Sequence, residues 1–237
     1  MHATSIPIDV DELLAQSLFS DLDRISIQQI ARGGWVIEQK RAARIVSRGD
    51  YLDGLFAVFE GRLKLYMLSC NGDERVLRVL QPGDSFGEAI MFNEFPSPVF
   101  VDTLSPVRLG YLPREVIKEA LAEKPDFTDS MLRAMSHLMR QLIGDLEACC
   151  LQNARQRTVA YLLREAHQGS TPHPEIRLPA AKAVIASMLN ISAETFSREL
   201  HRLQEQGLIK IDRRTVYLHD SKRLGAIGRG VDPLSKF

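Results

Sequence analysis

The residues of this chain best equipped for chemistry on a partner stand in one short stretch, Glu194-Thr195-Phe196-Ser197-Arg198-Glu199-Leu200-His201-Arg202. At helical spacing Phe196, Leu200 and Leu203 share one face, while Glu194, Thr195, Ser197, Arg198 and Arg202 share the opposite one. The second face offers a carboxylate, two hydroxyls and two guanidinium groups. Such a set suits the edges of bases in a DNA major groove. A carboxylate on Glu194 can accept a hydrogen bond from cytosine N4, and Arg198 can fork onto guanine O6 and N7. Ser197 suits a base or a phosphate. Spaced four apart, Glu194 and Arg198 could equally form a plain surface ion pair.

The flanking sequence favours the first reading. Leu178 to Asn190 reads as one helix and Ala193 to Gln206 as another, joined by Asn190-Ile191-Ser192. Asn190 tolerates the left-handed backbone such a turn requires, and Ser192 is a natural N-cap for the second helix. Leu208 to His219 then reads as a two-stranded hairpin turning at Asp212-Arg213-Arg214. Two short helices and a hairpin have the layout of a winged helix-turn-helix, whose second helix enters the groove by its N-terminal residues. Glu194, Ser197 and Arg198 are the expected base readers. Ser192, Thr195 and Arg202 are further DNA contacts, and Lys182, Arg213 and Arg214 flank the motif as candidates for phosphate. Charge agrees: the net of zero hides 14 Lys/Arg against 8 Asp/Glu from residue 152 onward. A basic end on an acidic body is expected where one end meets a polyanion.

Other chemistries lack their residues. The chain has no GxSxG, P-loop or HExxH. The strand-rich stretch from Gly33 to Leu112 has no histidine to build a cupin-like metal site, so a β-roll enzyme or metabolite binder is the minor alternative. Cys70, Cys149 and Cys150 lack CxxC spacing, which indicates neither a disulfide framework nor a zinc module. Cys149 and Cys150 point about 100° apart on a helix and are candidate redox or metal-sensing thiols. No apolar run approaches the ~20 residues of a membrane span, and the first ten residues lack the order of a secretory signal. A cytoplasmic protein without membrane contact is expected.

The remaining segments must carry that helix pair. Residues before about 30 read as short amphipathic helices. Between Gly33 and Leu112, apolar runs such as GLFAVFEG and RLKLYML alternate with turns at Gly49, Gly61, Asn71-Gly72 and Pro82-Gly83-Asp84, which predicts a β-roll or jelly roll. A short helix follows at Glu115 to Leu121, then a long one from Phe127 to Leu151. On the long helix Met131, Met135, Leu138 and Leu142 form the expected dimerisation seam, with Leu132, Met139, Ile143 and Leu146 as a second stripe. The expected fold is α+β, with a sensor domain over 1–126, a dimerisation helix over 127–151 and a DNA-binding domain over 152–237.

In this order GLFAVFEGRLKLY, QPGDSFGEA, the long helix and ETFSRELHRLQEQGLIKI resemble the Crp/Fnr superfamily of bacterial regulators over nearly the whole chain. The resemblance implies a cyclic-nucleotide-binding-like β-roll, a homodimer and RNA polymerase as a further partner. Glu194, Ser197 and Arg198 match the Glu-x-x-Ser-Arg pattern of the Fnr-like branch, which implies palindromes resembling TTGAT…ATCAA. FGEAIMFNEFP, CLQNARQRTVAYLL and ETFSRELHRL are most similar to the Dnr group, which implies nitric oxide or another diatomic gas sensed through haem, with His137 as the candidate axial ligand. The implied effector pocket comprises Gly87, Glu88, Ala89, Pro98 and Val99. Ser97-Pro98-Val99-Phe100 stands where cyclic-AMP binders carry an Arg-Ser or Arg-Thr step, so cyclic AMP is not expected. No cysteine precedes Cys70, so no iron–sulfur cluster is expected. A small molecule or the two cysteines, without haem, is the other sensor reading.

Overall fold

The computed structural model describes residues 6–92, 95–167 and 175–230, and the chain divides into two compact units, 1–141 and 142–237. The first unit opens with strand β1 (Ile6–Pro7), helix α1 (Val10–Leu14), a single 3-10 turn at Ser17–Phe19 and helix α2 (Arg24–Arg32). Asp9 and Asp23 cap the two helices by accepting backbone N–H bonds. Then follow β2 (Trp35–Gln39), β3 (Arg44–Val46), β4 (Gly54–Glu60), β5 (Leu63–Leu68), β6 (Glu74–Leu80) and β7 (Ser85–Phe86). After the short helix α3 (Glu88–Met91) come β8 (Phe100–Thr103), β9 (Val107–Pro113) and helix α4 (Arg114–Glu123).

These strands pair antiparallel in two sheets, one ordered β1-β2-β9-β4-β7 and the other β3-β8-β5-β6. Their facing sides enclose Val46, Phe56, Val58, Leu63, Leu80, Phe86, Val101 and Leu109. The far side of the five-stranded sheet packs Leu55, Ala57, Phe59 and Leu112 against helical residues including Phe19, Ile27, Ile117 and Phe127. Strand β4 therefore has core on both faces, and that is why its sequence GLFAVFE is apolar without alternation.

The predicted turns stand at glycines with positive φ, namely Gly49, Gly61, Gly72 and Gly83. At Gly61 (φ +84°) a Cβ would sit 2.1 Å from the Pro106 carbonyl oxygen, a backbone atom that cannot swing aside. Gly61→Ala is expected to cost about 2–4 kcal/mol, combining the left-handed penalty with that clash. A denaturation midpoint indistinguishable from the parent's would refute this.

Helix α5 (Pro125–Leu151) runs through the division between the units. The second unit continues with α6 (Ala154–His167), β10 (Glu175–Arg177), α7 (Lys182–Met188), α8 (Ala193–Glu205), β11 (Ile209–Asp212), β12 (Thr215–Leu218) and α9 (Ser221–Gly228). Here the sequence expectations need correction. The helix expected from Leu178 begins only at Lys182. Pro179 biases Leu178 to extended backbone, and the Leu178 N–H bonds the Arg214 carbonyl at 2.8 Å. The hairpin is the core of a three-stranded sheet, β10-β12-β11. Helix α9 was not expected; Asp220 caps it and Leu224 and Ile227 bury its inner face.

Candidate nucleic-acid interface

The turn before α8 is built as its residues dictate. Asn190 takes φ +56°, and Ser192 is extended, with its Oγ accepting the Thr195 N–H at 3.1 Å. Phe196, Leu200 and Leu203 are fully buried beneath α8, so the opposite face has one orientation. On that face Glu194, Ser197, Arg198 and Arg202 are exposed and Thr195 is half-buried. Thr195 Oγ1 accepts from Ser192 Oγ at 3.0 Å and from Arg198 Nη2 at 3.4 Å. Among the described residues no ion pair joins Glu194 to Arg198, so both charges are presented outward rather than spent on each other.

The flanking cations surround this face within the same unit. Lys182 begins α7 and is half-buried, while Arg213 (φ +52°) and Arg214 are exposed at the β11–β12 turn. Arg214 Nη2 also reaches the Leu178 carbonyl at 3.4 Å. One residue went unnoticed in the sequence. Glu199 is buried at the foot of α8 and its Oε1 accepts from Arg202 Nη1 at 2.8 Å, which tethers that guanidinium. Its place in the apolar stripe, between Phe196 and Leu200, was the available signal.

Comparison with known proteins assigns this arrangement. Residues 37–124 match the cyclic nucleotide-binding domain, and residues 156–227 match the Crp-like helix-turn-helix domain. The chain belongs to the Crp/Fnr family of transcription regulators. It is a DNA-binding regulator and not an enzyme. It is 23% identical to the CRP-like cAMP-activated global transcriptional regulator of Mycobacterium tuberculosis, covering 93% of this chain and 100% of that protein. It is 28% identical to the fumarate and nitrate reduction regulatory protein of Salmonella typhimurium, covering 81% and 79%. In fold it resembles a CooA mutant from Carboxydothermus hydrogenoformans, with a TM-score of 0.75 at 19% identity over 94% of this chain and 97% of that one. No helix among the described residues is long and apolar enough to cross a membrane.

In this Crp/Fnr regulator the β-roll carries a buried carboxyl beside Gly87. Gly87 takes φ +100°, a Cβ there would stand 2.8 Å from the Gly54 carbonyl oxygen, and the next residue, Glu88, is 9% exposed. Among the described residues its Oε2 has no hydrogen-bond partner, and burial pushes the carboxyl above the usual range. Arg78 and Asp84 lie near enough to act on it, joined to each other at 3.3 Å, and burial raises Asp84 as well. Ala89 and Pro98 are exposed and Val99 is buried. Ser97 spends its hydroxyl on the Val99 backbone, donating to the carbonyl at 2.9 Å and accepting from the N–H at 3.3 Å.

Because the Glu88 carboxyl binds its proton more tightly when folded, it withdraws stability as pH rises past its unfolded value. Glu88→Gln should therefore melt above the parent at neutral pH, with the difference closing in acid. A gap that widened in acid would contradict the buried-carboxyl account.

His137, the candidate axial ligand, stands on α5. His137 is exposed, its Nδ1 lies 3.1 Å from Arg140 Nη2, and helical geometry sets it opposite Met139 and Leu146 and away from the core-facing side. The expectation that it reaches the β-roll is corrected: the side facing the roll is held by Phe127, Met131 and Met135. The same packing corrects the seam. Met131 is 3% exposed within its own core and Met135 packs against it, so neither is free for a second chain. Leu138 is half-buried, whereas Leu132, Met139, Leu142, Ile143 and Leu146 are more than half exposed. Cys149 is half-buried and Cys150 exposed, both as free thiols.

Proposed function

We propose that this regulator acts as a homodimer whose two α8 helices read a palindromic, Fnr-like operator, with Glu194, Ser197 and Arg198 on base edges. Ser192, Thr195, Arg202, Lys182, Arg213 and Arg214 supply the remaining contacts, chiefly to phosphate. The observation that carries this reading is the outward presentation of Glu194 and Arg198, with no ion pair between them among the described residues, on a helix whose other face is locked by three buried side chains. The second copy packs along the open stripe of Leu132, Met139, Leu142, Ile143 and Leu146. Leu132, Met139 and Leu146 are seven apart, as a coiled-coil position repeats.

Operator affinity is set by an effector held in the β-roll beside Gly87, Glu88 and Val99. Glu88 Oε2, without a hydrogen-bond partner among the described residues, favours a small molecule that donates a hydrogen bond over a gas-binding haem. An effector shifts the packing of the α5 pair only by binding its two arrangements unequally. RNA polymerase is the expected further partner.

The operator reading is tested by spacing. Two α8 helices entering successive grooves need half-sites about 34 Å apart. Fluorescence anisotropy on a TTGAT…ATCAA duplex should show tight binding that is lost when about half a turn, ~5 base pairs, is inserted at the centre. Equal affinity for both duplexes would reject the paired readout.

A further inference from the structure

Helix α6 opens with a capping box. Asn153 Oδ1 accepts the Gln156 N–H at 3.0 Å, and Gln156 Oε1 accepts the Asn153 N–H at 2.9 Å. Gln152 is then the residue before the cap and Arg157 the fourth inside the helix. These two positions ordinarily hold an apolar pair that staples the chain entry to the first turn. Here both are polar. One turn further on, Tyr161 shares the face of Arg157.

Each of these three residues carries buried polar atoms with no hydrogen-bond partner among the described residues: Gln152 Oε1, Arg157 Nε and Nη1, and the Tyr161 hydroxyl. Tyr161 is only 2% exposed. The surrounding groups are engaged elsewhere. Arg164 pairs with Asp145 at 3.6 Å and lies 5.9 Å from the Tyr161 ring centre, and Arg155 donates to Gln206 at 2.6 Å. Glu165 lies near enough to act on Tyr161, and burial pushes its carboxyl above the usual range.

Buried guanidinium nitrogens without an acceptor are destabilising, and each orphaned hydroxyl or amide oxygen adds to that. Arg157 is half-buried with two such nitrogens, beside the orphaned Tyr161 hydroxyl on the same helix face and Gln152 Oε1 before the cap. We propose that Gln152, Arg157 and Tyr161 bind a small protonated oxyanion of the hydrogen-phosphate class. Arg157 and the Tyr161 hydroxyl donate to its oxygens, and its own O–H donates to Gln152 Oε1. A carboxylate from a second copy would satisfy the donors and leave Gln152 Oε1 orphaned. The site lies behind the end of α5, on α6, apart from the α8 face, and does not rest on the operator reading.

The test uses the full-length protein without DNA, titrated with inorganic phosphate against sodium chloride of matched ionic strength, followed by calorimetry and thermal melting. One saturable phosphate site per chain is expected, with sulfate, which carries no proton at neutral pH, binding more weakly. Tyr161→Phe keeps the ring that fills the core and should weaken phosphate about tenfold, one lost hydrogen bond to a charged ligand. Arg157→Gln should abolish it, and the double variant Lys182→Ala/Arg214→Ala should leave it unchanged. No stabilisation beyond chloride, or binding insensitive to Tyr161→Phe, would overturn the proposal. So would equal binding of sulfate, or loss through the Lys182/Arg214 variant, which would place the ion on the α8 face. Dimer dissociation in Arg157→Gln without any phosphate binding would assign the donors to a second copy instead.

Discussion

Met139→Glu combined with Leu146→Glu is expected to leave a folded monomer that no longer holds its operator. Both side chains are more than 60% exposed in the protomer, so neither change opens a cavity and the melting of each unit should barely move. In the dimer each carboxylate meets its symmetry mate across an apolar seam, where it loses water and gains only repulsion. Joining two recognition helices raises affinity about 10²–10⁴-fold through effective concentration alone, and that factor is what dissociation removes. Sedimentation velocity at micromolar concentration should show one species of monomer mass, with operator binding reduced accordingly. Met131→Glu is the instructive contrast. That side chain belongs to the core of its own unit, so the expected result is unfolding rather than dissociation. A Met139/Leu146 variant that remained dimeric would move the interface off this stripe.

Arg198→Ala should cost about 1–3 kcal/mol at one base pair of each half-site, roughly 5- to 150-fold, and relax the choice of base there. The guanidinium is poised for this, since Thr195 Oγ1 holds one of its nitrogens and no carboxylate competes for it among the described residues. Lys182→Ala should instead weaken every sequence alike and lower the salt slope by about one. Anisotropy on specific and random duplexes over a range of salt separates the two. If Arg198→Ala reduced both duplexes equally, Arg198 would be a phosphate contact and the specificity would reside in Glu194 and Ser197.

The build of α8 and the turn before it was legible in the sequence because its causes are local. Asn190, Ser192 and the spacing of Phe196, Leu200 and Leu203 determine a turn, a cap and a buried stripe within fifteen residues. The β-roll was legible for a similar reason: its turn glycines stand where positive φ is needed, and its strands are rich in branched and aromatic residues. What was missed depends on distant partners. Three residues of β10 signal a strand only once β12 lies beside them. Helical spacing gives two apolar stripes without saying which one the parent domain covers, so the burial of Met131 and Met135 in their own core had no signal. The direction of His137 likewise depends on where the core falls around α5. Orphaned groups such as Glu88 Oε2 and Arg157 Nε lie further still from sequence, because a missing partner has no pattern.

Strand β4 is a common wall between two interiors. Phe56 and Val58 line the roll, while Leu55, Ala57 and Phe59 support the helices, among them the first turns of α5 at Phe127 and Met131. Packed interiors are nearly incompressible, so a wall pushed from one room intrudes on the other. A ligand that displaces Phe56 by a fraction of an ångström alters the seat of Phe127 without touching it. The apolar sequence of β4, which an outward-facing strand could not tolerate, makes the roll and the root of the long helix one mechanical body, and neither room can be refurnished alone.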